Sequence, residues 1–239
     1  MGGVLGLIPA RGGSKSIPKK NIALLAGRPL LAYTCEAALA SKRVTRVVLS
    51  TDDGDIANVG KNCGVEVPFL RPKDLSQDDT PSIAVVEHCL RWLAENNAFE
   101  PDIVVLLQPT SPLRRAHHID EALAHLEAVE AETVVSVINV PHRFSPYSIM
   151  KLDKGWLHDF WEQPVPFDRY RRQEVPRLYA RNGPAILAAR AEVIREYKSF
   201  YGSRVTAYLM GDMESIDIDD PFDLELAAWL IERQTELNH

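Results

Sequence analysis

The chain has 239 residues, of which 46% are hydrophobic and 25% charged, and its formal net charge is −6. This length fits one large or two small globular domains, and the acidic balance argues against a general nucleic-acid-binding protein. The basic residues are concentrated in segments 11–20 and 169–181, which favours a small anionic ligand over a polymer. Three scattered cysteines, no signal peptide and no apolar run of about 18 residues predict a cytosolic protein without a membrane segment.

The amino-terminal part of the chain alternates between strand-like and helix-like patterns. Apolar and β-branched runs predict strands at 4–8, 46–50, 66–70, 103–107 and 133–140. Apolar periodicity together with Pro29 and Gly64 predicts helices at 29–40, 53–63, 82–96 and 116–129. Because apolar strands separated by helices are typical of a parallel sheet covered on both faces, we expect an α/β fold.

Segment 141–175 breaks this alternation, because it is rich in proline and in large aromatic residues. It predicts a hairpin at 148–156 that turns near 153–155, followed by an arm. The aromatic residues are too many for a solvated loop, so we expect them to pack on a neighbouring subunit or, alternatively, on the sheet of the same chain. The predicted division is a core of residues 1–140 and 176–239 with a dimerisation arm inserted at 141–175.

The α/β pattern resumes after the arm. Strands are predicted at 184–189, 205–210 and 215–218, and helices at 191–196 and 221–234. The last helix has a well-defined start, since Asp220 suits the N-cap, Pro221 the first position and Asp223 the first turn.

The loop after the first strand carries the strongest functional signal. It reads A-R-G-G-S-K-S-I-P-K-K-N and contains four cations: Arg11, Lys15, Lys19 and Lys20. Glycines let backbone N–H groups approach an anion closely, and fixed cations neutralise its charge. Such a loop directly after a buried strand favours phosphate binding over an ordinary solvated loop.

Two further polar motifs follow predicted strands. Segment 50–53 (S-T-D-D) either caps the following helix or contacts a ligand. Segment 108–115 (Q-P-T-S-P-L-R-R) is stiffened by proline and offers Gln108 and Ser111 as neutral hydrogen-bonding groups. It suits the recognition of a sugar or base, because a stiff loop loses little entropy on binding; a purely structural turn is the alternative.

A pair of carboxylates near the carboxyl terminus predicts a metal site. Asp217 and Asp219 would share one face of the strand predicted at 215–218, ~6–7 Å apart along the chain. Mg²⁺ takes one or two carboxylates and completes its ligands with waters and substrate phosphates. The alternative is a helix-capping acidic turn, a role that we assign to Asp220 and Asp223. Walker A and G-x-G-x-x-G motifs are absent, which disfavours kinases and dehydrogenases.

Five motifs in this order resemble those of the CMP-sialic acid synthetases (acylneuraminate cytidylyltransferases): A-R-G-G-S-K-S-I-P-K-K-N, S-T-D, L-Q-P-T-S-P-L-R, R-N-G-P-A-I and S-I-D-I-D. The resemblance spans nearly the whole chain. It implies a Rossmann-like nucleotidyltransferase three-layer α/β fold with a mainly parallel sheet and a small dimerisation subdomain. It also implies a homodimer whose substrates are CTP and a 2-keto-3-deoxy sugar acid, joined with release of pyrophosphate in the presence of Mg²⁺.

The resemblance assigns roles residue by residue. It places these residues at the nucleotide: Ala10, Arg11, Gly12, Ser14, Lys15, Lys20, Asn21, Arg71 and Ser82. It places these at the sugar: Gln108, Arg172 and Asn182. It places Asp217 and Asp219 at the metal, and the catalytic set comprises Lys20, Arg11 and these two carboxylates.

The sugar half of the pattern departs from the sialic-acid-specific members. Where those carry a lysine that clamps the sugar carboxylate, this chain has Ser148, and Ala180 and Arg181 alter the stretch before Asn182. Another nonulosonate, such as legionaminic, pseudaminic or deaminated neuraminic acid, or an eight-carbon acid such as Kdo, therefore stays open as the substrate. A CTP-binding module without turnover is the alternative outside the enzymes.

Overall fold

The computed structural model describes residues 3–160, 176–183 and 185–237. Its strands are β1 (Val4–Pro9), β2 (Leu24–Leu25), β3 (Arg28–Pro29), β4 (Arg46–Ser50), β5 (Ile103–Leu106), β6 (Thr133–Asn139), β7 (Met150–Asp153), β8 (Trp156–Asp159), β9 (Tyr179–Arg181), β10 (Leu187–Arg190) and β11 (Val205–Leu209). Its helices are α1 (Leu30–Leu39), α2 (Gly54–Asn62), α3 (Ser82–Asn97), α4 (Ala116–Ala128), α5 (Ala191–Tyr197) and α6 (Pro221–Leu237). Within these ranges, no helix combines the length and apolar character that crossing a bilayer requires.

The central sheet has the spatial order β11-β6-β10-β5-β1-β4, and β9 also pairs with β6. Strands β4, β1, β5, β6 and β11 run in one direction, so the mainly parallel α/β sheet is confirmed. Strands β9 and β10 run antiparallel to β6, which the sequence pattern did not indicate. The reason is the point of entry: β9 pairs with the carboxyl end of β6, so the chain returns from the loop end of the sheet and runs back down it.

Apolar side chains cover both faces of this sheet, which gives three layers. On one face Ile8 and Leu49 pack with residues of α1, α2 and α4. On the other face Leu5 and Leu7 pack with residues of α3 and α5. The alternation along β1 arises because neighbouring strand residues point to opposite faces. A third small core, formed around Ile17, Leu25, Leu30, Ile218 and Ala227, packs the opening loop against α6.

The predicted helix caps are confirmed. The Asp53 carboxylate accepts hydrogen bonds from the backbone N–H groups of Asp55 and Ile56 at the start of α2. The Asp220 carboxylate accepts from Phe222 and Asp223 at the start of α6. In return the Asp223 carboxylate accepts from the backbone of Asp220. These bonds satisfy donors that a helix start otherwise leaves unpaired.

Two predicted strands are wrong. Segment 66–70 makes a single bridge, between Glu66 and Val48, and then leaves the sheet at Pro68, which has no N–H to continue a ladder. Segment 215–218 is also not a strand, because the backbone N–H of Ile218 donates to the carbonyl of Thr110 instead of to a neighbouring strand. The short hairpin β2–β3 was not predicted either.

The predicted hairpin of the arm is confirmed as β7 and β8, which turn at Lys154 and Gly155 with positive φ angles at both residues. Its apolar side chains are exposed, among them Leu152, Trp156 and Leu157. Residues 161–175 lie outside the described part of the chain. The division into a core and a dimerisation arm therefore stays a prediction.

A buried guanidinium joins three elements beside the sheet. Arg114 is 2% exposed and donates hydrogen bonds to the carbonyls of Gln108 and Ala185 and to the hydroxyl of Thr34. Burial lowers the pKa of Arg114 to about 9. The hydrogen bonds of Arg114 tie α1 to the loop after β5 and to the segment that leads into β10.

We predict that Arg114→Ala lowers the free energy of unfolding by about 3 kcal/mol or more, because it leaves buried acceptors without a donor and opens a cavity. Urea denaturation followed by far-UV circular dichroism measures this loss. The neighbouring Arg115 is exposed, so Arg115→Ala is the matched control and should lose much less. Equal losses in the two variants would contradict the structural role of Arg114.

Candidate active site

A cavity of about 660 Å³ lies at the carboxyl ends of β1 and β5. In open α/β sheets this is the edge at which ligands bind. Ten of the residues predicted from the sequence line it: Arg11, Ser14, Lys15, Lys20, Asn21, Arg71, Ser82, Gln108, Asp217 and Asp219. The cations of the opening loop and the carboxylates of the carboxyl-terminal segment therefore meet in one place.

Lys20 lies where the two charged groups of the cavity meet. Its ammonium donates a hydrogen bond to the Ile218 carbonyl oxygen at 2.8 Å, and it is 3.8 Å from the Asp219 carboxylate. The side chain is only 16% exposed, so its position is well defined. Arg11 and Lys15 are more exposed and extend the positive wall of the cavity.

The two predicted metal ligands lie in a loop, which corrects the strand geometry expected for them. Asp217 is partly buried, and its Oδ1 atom is buried without a hydrogen-bond partner. Burial raises the pKa of Asp217, the nearby Thr110 hydroxyl acts against that shift, and the negative charge of Asp219 adds to it. Asp219 is exposed. An orphaned carboxylate oxygen beside a second carboxylate suits a divalent cation, which would supply the missing charge.

Among the described residues, no group of three or more histidine, cysteine or acidic side chains gathers to hold a metal. The two carboxylates of Asp217 and Asp219 suit Mg²⁺, which takes one or two protein carboxylates and completes its ligands with waters and phosphate oxygens. The Mg²⁺ assignment stays a prediction.

Two predicted nucleotide residues support the opening loop instead of lining the cavity. The Ala10 side chain is buried, and its N–H donates to the Ser50 carbonyl. The N–H of Gly12 donates to the Asp52 carboxylate at 3.0 Å, and a Cβ atom at Gly12 would lie 2.9 Å from Asp53. Segment 50–53 therefore caps α2 and braces the loop, and its side chains do not line the cavity.

Hydrogen bonds and an ion pair also hold the cavity wall in place. The Asn21 amide donates to the Arg11 carbonyl at 2.9 Å. Arg71 is buried, donates from Nε to the Ser76 hydroxyl, and lies 3.8 Å from the Asp52 carboxylate. Burial lowers the pKa of Arg71, and the negative charge of Asp52 partly opposes this shift.

Asn182 lies outside the cavity wall, in a buried network. Its Oδ1 accepts from the Ser136 hydroxyl at 2.6 Å, and its Nδ2 donates to the Ser215 hydroxyl at 2.8 Å. These bonds tie β6 to the segment that carries Asp217, so the amide positions the carboxylate. A direct contact of Asn182 with a sugar stays a prediction. Arg172, the other predicted sugar residue besides Gln108, lies outside the described residues.

Sequence reasoning missed several residues of the wall: Gly13, Gln77, Asp78, Thr80, Thr110 and Gly183. Gly13 and Gly183 belong to motifs that the sequence analysis had singled out, so their positions could have been predicted. Asp78 lies in the sequence between Arg71 and Ser82, two predicted nucleotide contacts, and this position was the available indication that it lines the cavity.

Comparisons with known proteins identify the family of the chain. The family model described as Cytidylyltransferase matches residues 5–234. The chain is 38% identical to the CMP-N,N'-diacetyllegionaminic acid synthase of Legionella pneumophila, over 98% of both chains. It is 33% identical to the N-acylneuraminate cytidylyltransferase of Escherichia coli O18:K1:H7, over 97% of this chain and 52% of that protein. The chain thus spans nearly all of the first relative and about half of the second.

Solved structures share the fold at low sequence identity. A CMP:2-keto-3-deoxy-manno-octonic acid synthetase complexed with CTP matches with a TM-score of 0.69 at 18% identity, over 97% of this chain and 99% of that one. A 4-diphosphocytidyl-2C-methyl-D-erythritol synthase of Anaerococcus prevotii matches with a TM-score of 0.64 at 12% identity, over the same shares. The Rossmann-like nucleotidyltransferase fold is therefore confirmed.

We predict that Gly183→Ala lowers the free energy of unfolding by about 1–3 kcal/mol. Gly183 has a φ of +109°, and an added Cβ atom would lie 3.1 Å from the carboxyl carbon of Asp217. Thermal denaturation measures the loss. Gly13→Ala is the matched control, since a Cβ atom there meets nothing within 4 Å. An unchanged stability of Gly183→Ala would contradict the tight packing of Asp217.

Proposed function

Since this chain belongs to the cytidylyltransferase family, we propose that it transfers CMP from CTP to a nonulosonic sugar acid and releases pyrophosphate. The observation that carries the proposal is the meeting of Arg11, Lys15 and Lys20 with Asp217 and Asp219 in one cavity. Transfer of a nucleotidyl group depends on positioning and on neutralising phosphate charge, and both are served by fixed groups of opposite sign.

In this mechanism the anomeric hydroxyl of the sugar attacks the α-phosphorus of CTP, and pyrophosphate leaves in line. Arg11 and Lys15 bind the β- and γ-phosphates and neutralise the charge of the leaving group. Lys20 is the electrophilic group at the α-phosphate, because its ammonium is held by the Ile218 carbonyl between the basic loop and the carboxylates. Mg²⁺ bound by Asp217 and Asp219 would add positive charge at the phosphates and lower the pKa of a bound hydroxyl.

Different residues of the cavity wall would bind the two substrates. Arg71 and Ser82, which both line the cavity, would bind the cytosine and ribose. Gln108, which also lines it and whose backbone carbonyl is held by Arg114, would bind the sugar. The full-length similarity to the Legionella pneumophila protein supports a nonulosonic acid as the acceptor.

A panel of sugar acids tests this function. Pyrophosphate release should require CTP, Mg²⁺ and a nonulosonic acid together, and the panel should include N-acetylneuraminic, legionaminic, pseudaminic and deaminated neuraminic acids. Kdo, an eight-carbon acid, is the control for a different acceptor class. Turnover of Kdo alone would move the proposal to that class, and CTP binding without release from any acceptor would refute it.

Two variants within the same assay test the carboxylates. Asp217→Asn and Asp219→Asn should each lower kcat/KM at least about a hundredfold, because each removes charge from the metal site. Asp212 is exposed and lies outside the cavity wall, so Asp212→Asn is the matched control. Full activity in both site variants would contradict the assignment of Asp217 and Asp219 as Mg²⁺ ligands.

We propose further that the enzyme is a homodimer joined through the hairpin β7–β8. Its Leu152, Trp156 and Leu157 side chains are 72%, 73% and 62% exposed, which is typical of surface that a partner covers.

In sedimentation velocity at micromolar concentration we expect a dimer for the wild type and a monomer for the double variant Trp156→Ser/Leu157→Ser. Leu24 is also exposed but lies on β2, so Leu24→Ser should leave the dimer intact. A monomeric wild type would contradict this arrangement.

A further inference from the structure

An acidic side chain occupies the positive wall of the cavity. The Asp78 carboxylate contacts Arg11 through Oδ1 at 2.6 Å and Lys15 through Oδ2 at 2.5 Å. One carboxylate thus bridges two cations of the phosphate-binding loop, and Asp78 itself lines the cavity. The hydrogen bond from Lys15 and the charge of both cations hold the pKa of Asp78 below its usual range, so it is ionised at neutral pH.

The segment that carries Asp78 links other predicted nucleotide contacts. Residues 71–82 begin at Arg71 and end at Ser82, the first residue of α3. Hydrogen bonds within the segment close short turns, for example from Gln77 to the Lys73 carbonyl. The ion pairs of Asp78 join this segment to the opening loop.

A carboxylate between two cations imitates what a phosphate would do there. A phosphate that approaches Arg11 or Lys15 meets the negative charge of Asp78, which already occupies one donor of each cation. Moving the carboxylate away removes that repulsion and frees both donors for phosphate oxygens. Charge-assisted bonds of this kind are interchangeable, because carboxylate and phosphate oxygens present the same acceptor to a guanidinium or ammonium.

We propose that Asp78 is a built-in competitor of the polyphosphate: it is displaced when the triphosphate binds and re-pairs with Arg11 and Lys15 as pyrophosphate leaves. The inference rests on the proposed function for the identity of the anion. Its consequence is a weaker hold on both the triphosphate and the pyrophosphate product, which speeds product release.

The expected size follows from the exposure of the groups. The side chains of Lys15 and Asp78 are 84% and 48% exposed, and ion pairs at such positions are screened by water. Replacing the carboxylate by an amide of the same shape should therefore tighten pyrophosphate binding roughly fivefold. A residue that only supports the fold would weaken binding when it is replaced, so a gain in affinity distinguishes the two roles.

The adjacent Asp79 provides a matched control, since it is an exposed residue of the same charge in the same segment. Isothermal titration calorimetry with pyrophosphate at fixed free Mg²⁺ should give a lower Kd for Asp78→Asn than for Asp79→Asn and the wild type. Asp78→Glu restores the carboxylate and should return the Kd toward the wild-type value. In turnover, Asp78→Asn should lower the inhibition constant of pyrophosphate by the same factor and should lower the KM for CTP.

Each other outcome overturns the inference. Equal Kd values for Asp78→Asn and Asp79→Asn would show that only net charge matters, and a higher Kd for Asp78→Asn would make Asp78 part of the binding surface. Either result leaves the proposed function intact, provided that the wild type binds CTP and pyrophosphate. If the wild type binds neither CTP nor pyrophosphate, both the proposed function and this inference are refuted.

Discussion

The site depends on one contact between the two ends of the chain: the Lys20 ammonium donates to the carbonyl oxygen of Ile218, 198 residues later. Beneath it, Ile17 and Ile218 share a small apolar core with residues of α6. This packing holds the basic loop and the acidic segment at a fixed separation. The proposed binding of phosphate by the cations and of Mg²⁺ by the carboxylates requires that this separation is maintained.

Most charged side chains around the cavity form pairs of opposite sign. Asp78 bridges Arg11 and Lys15, Asp52 lies beside Arg71, and Asp219 lies beside Lys20. Asp217 is the exception, because its Oδ1 atom is buried without a well-formed hydrogen bond and burial raises its pKa. Groups that are paired before the ligand arrives must exchange partners, whereas an unpaired buried carboxylate gains a partner when a cation binds.

Arg114 and Asn182 show how the fold supports this chemistry from behind the cavity wall. Arg114 fixes the backbone of Gln108 through a carbonyl oxygen, and Asn182 fixes Ser215, two residues before Asp217. Both polar side chains are buried and hydrogen-bonded, as polar groups in a core must be. The polar residues of the sequence motifs thus divide into those that face the cavity and those that hold its wall in place.

The sequence by itself determined most of the helices and buried strands and the charge of the loops. The strands of the central parallel sheet, the caps at Asp53 and Asp220, and the cationic character of segment 11–20 follow from patterns that span a few neighbouring residues. Only the tertiary structure decided that 215–218 is a loop, that β10 runs antiparallel, that Asn182 faces the core and that Asp78 bridges two cations. These features depend on partners that are far apart in the chain, and local patterns carry no information about which distant backbone or charge will be adjacent.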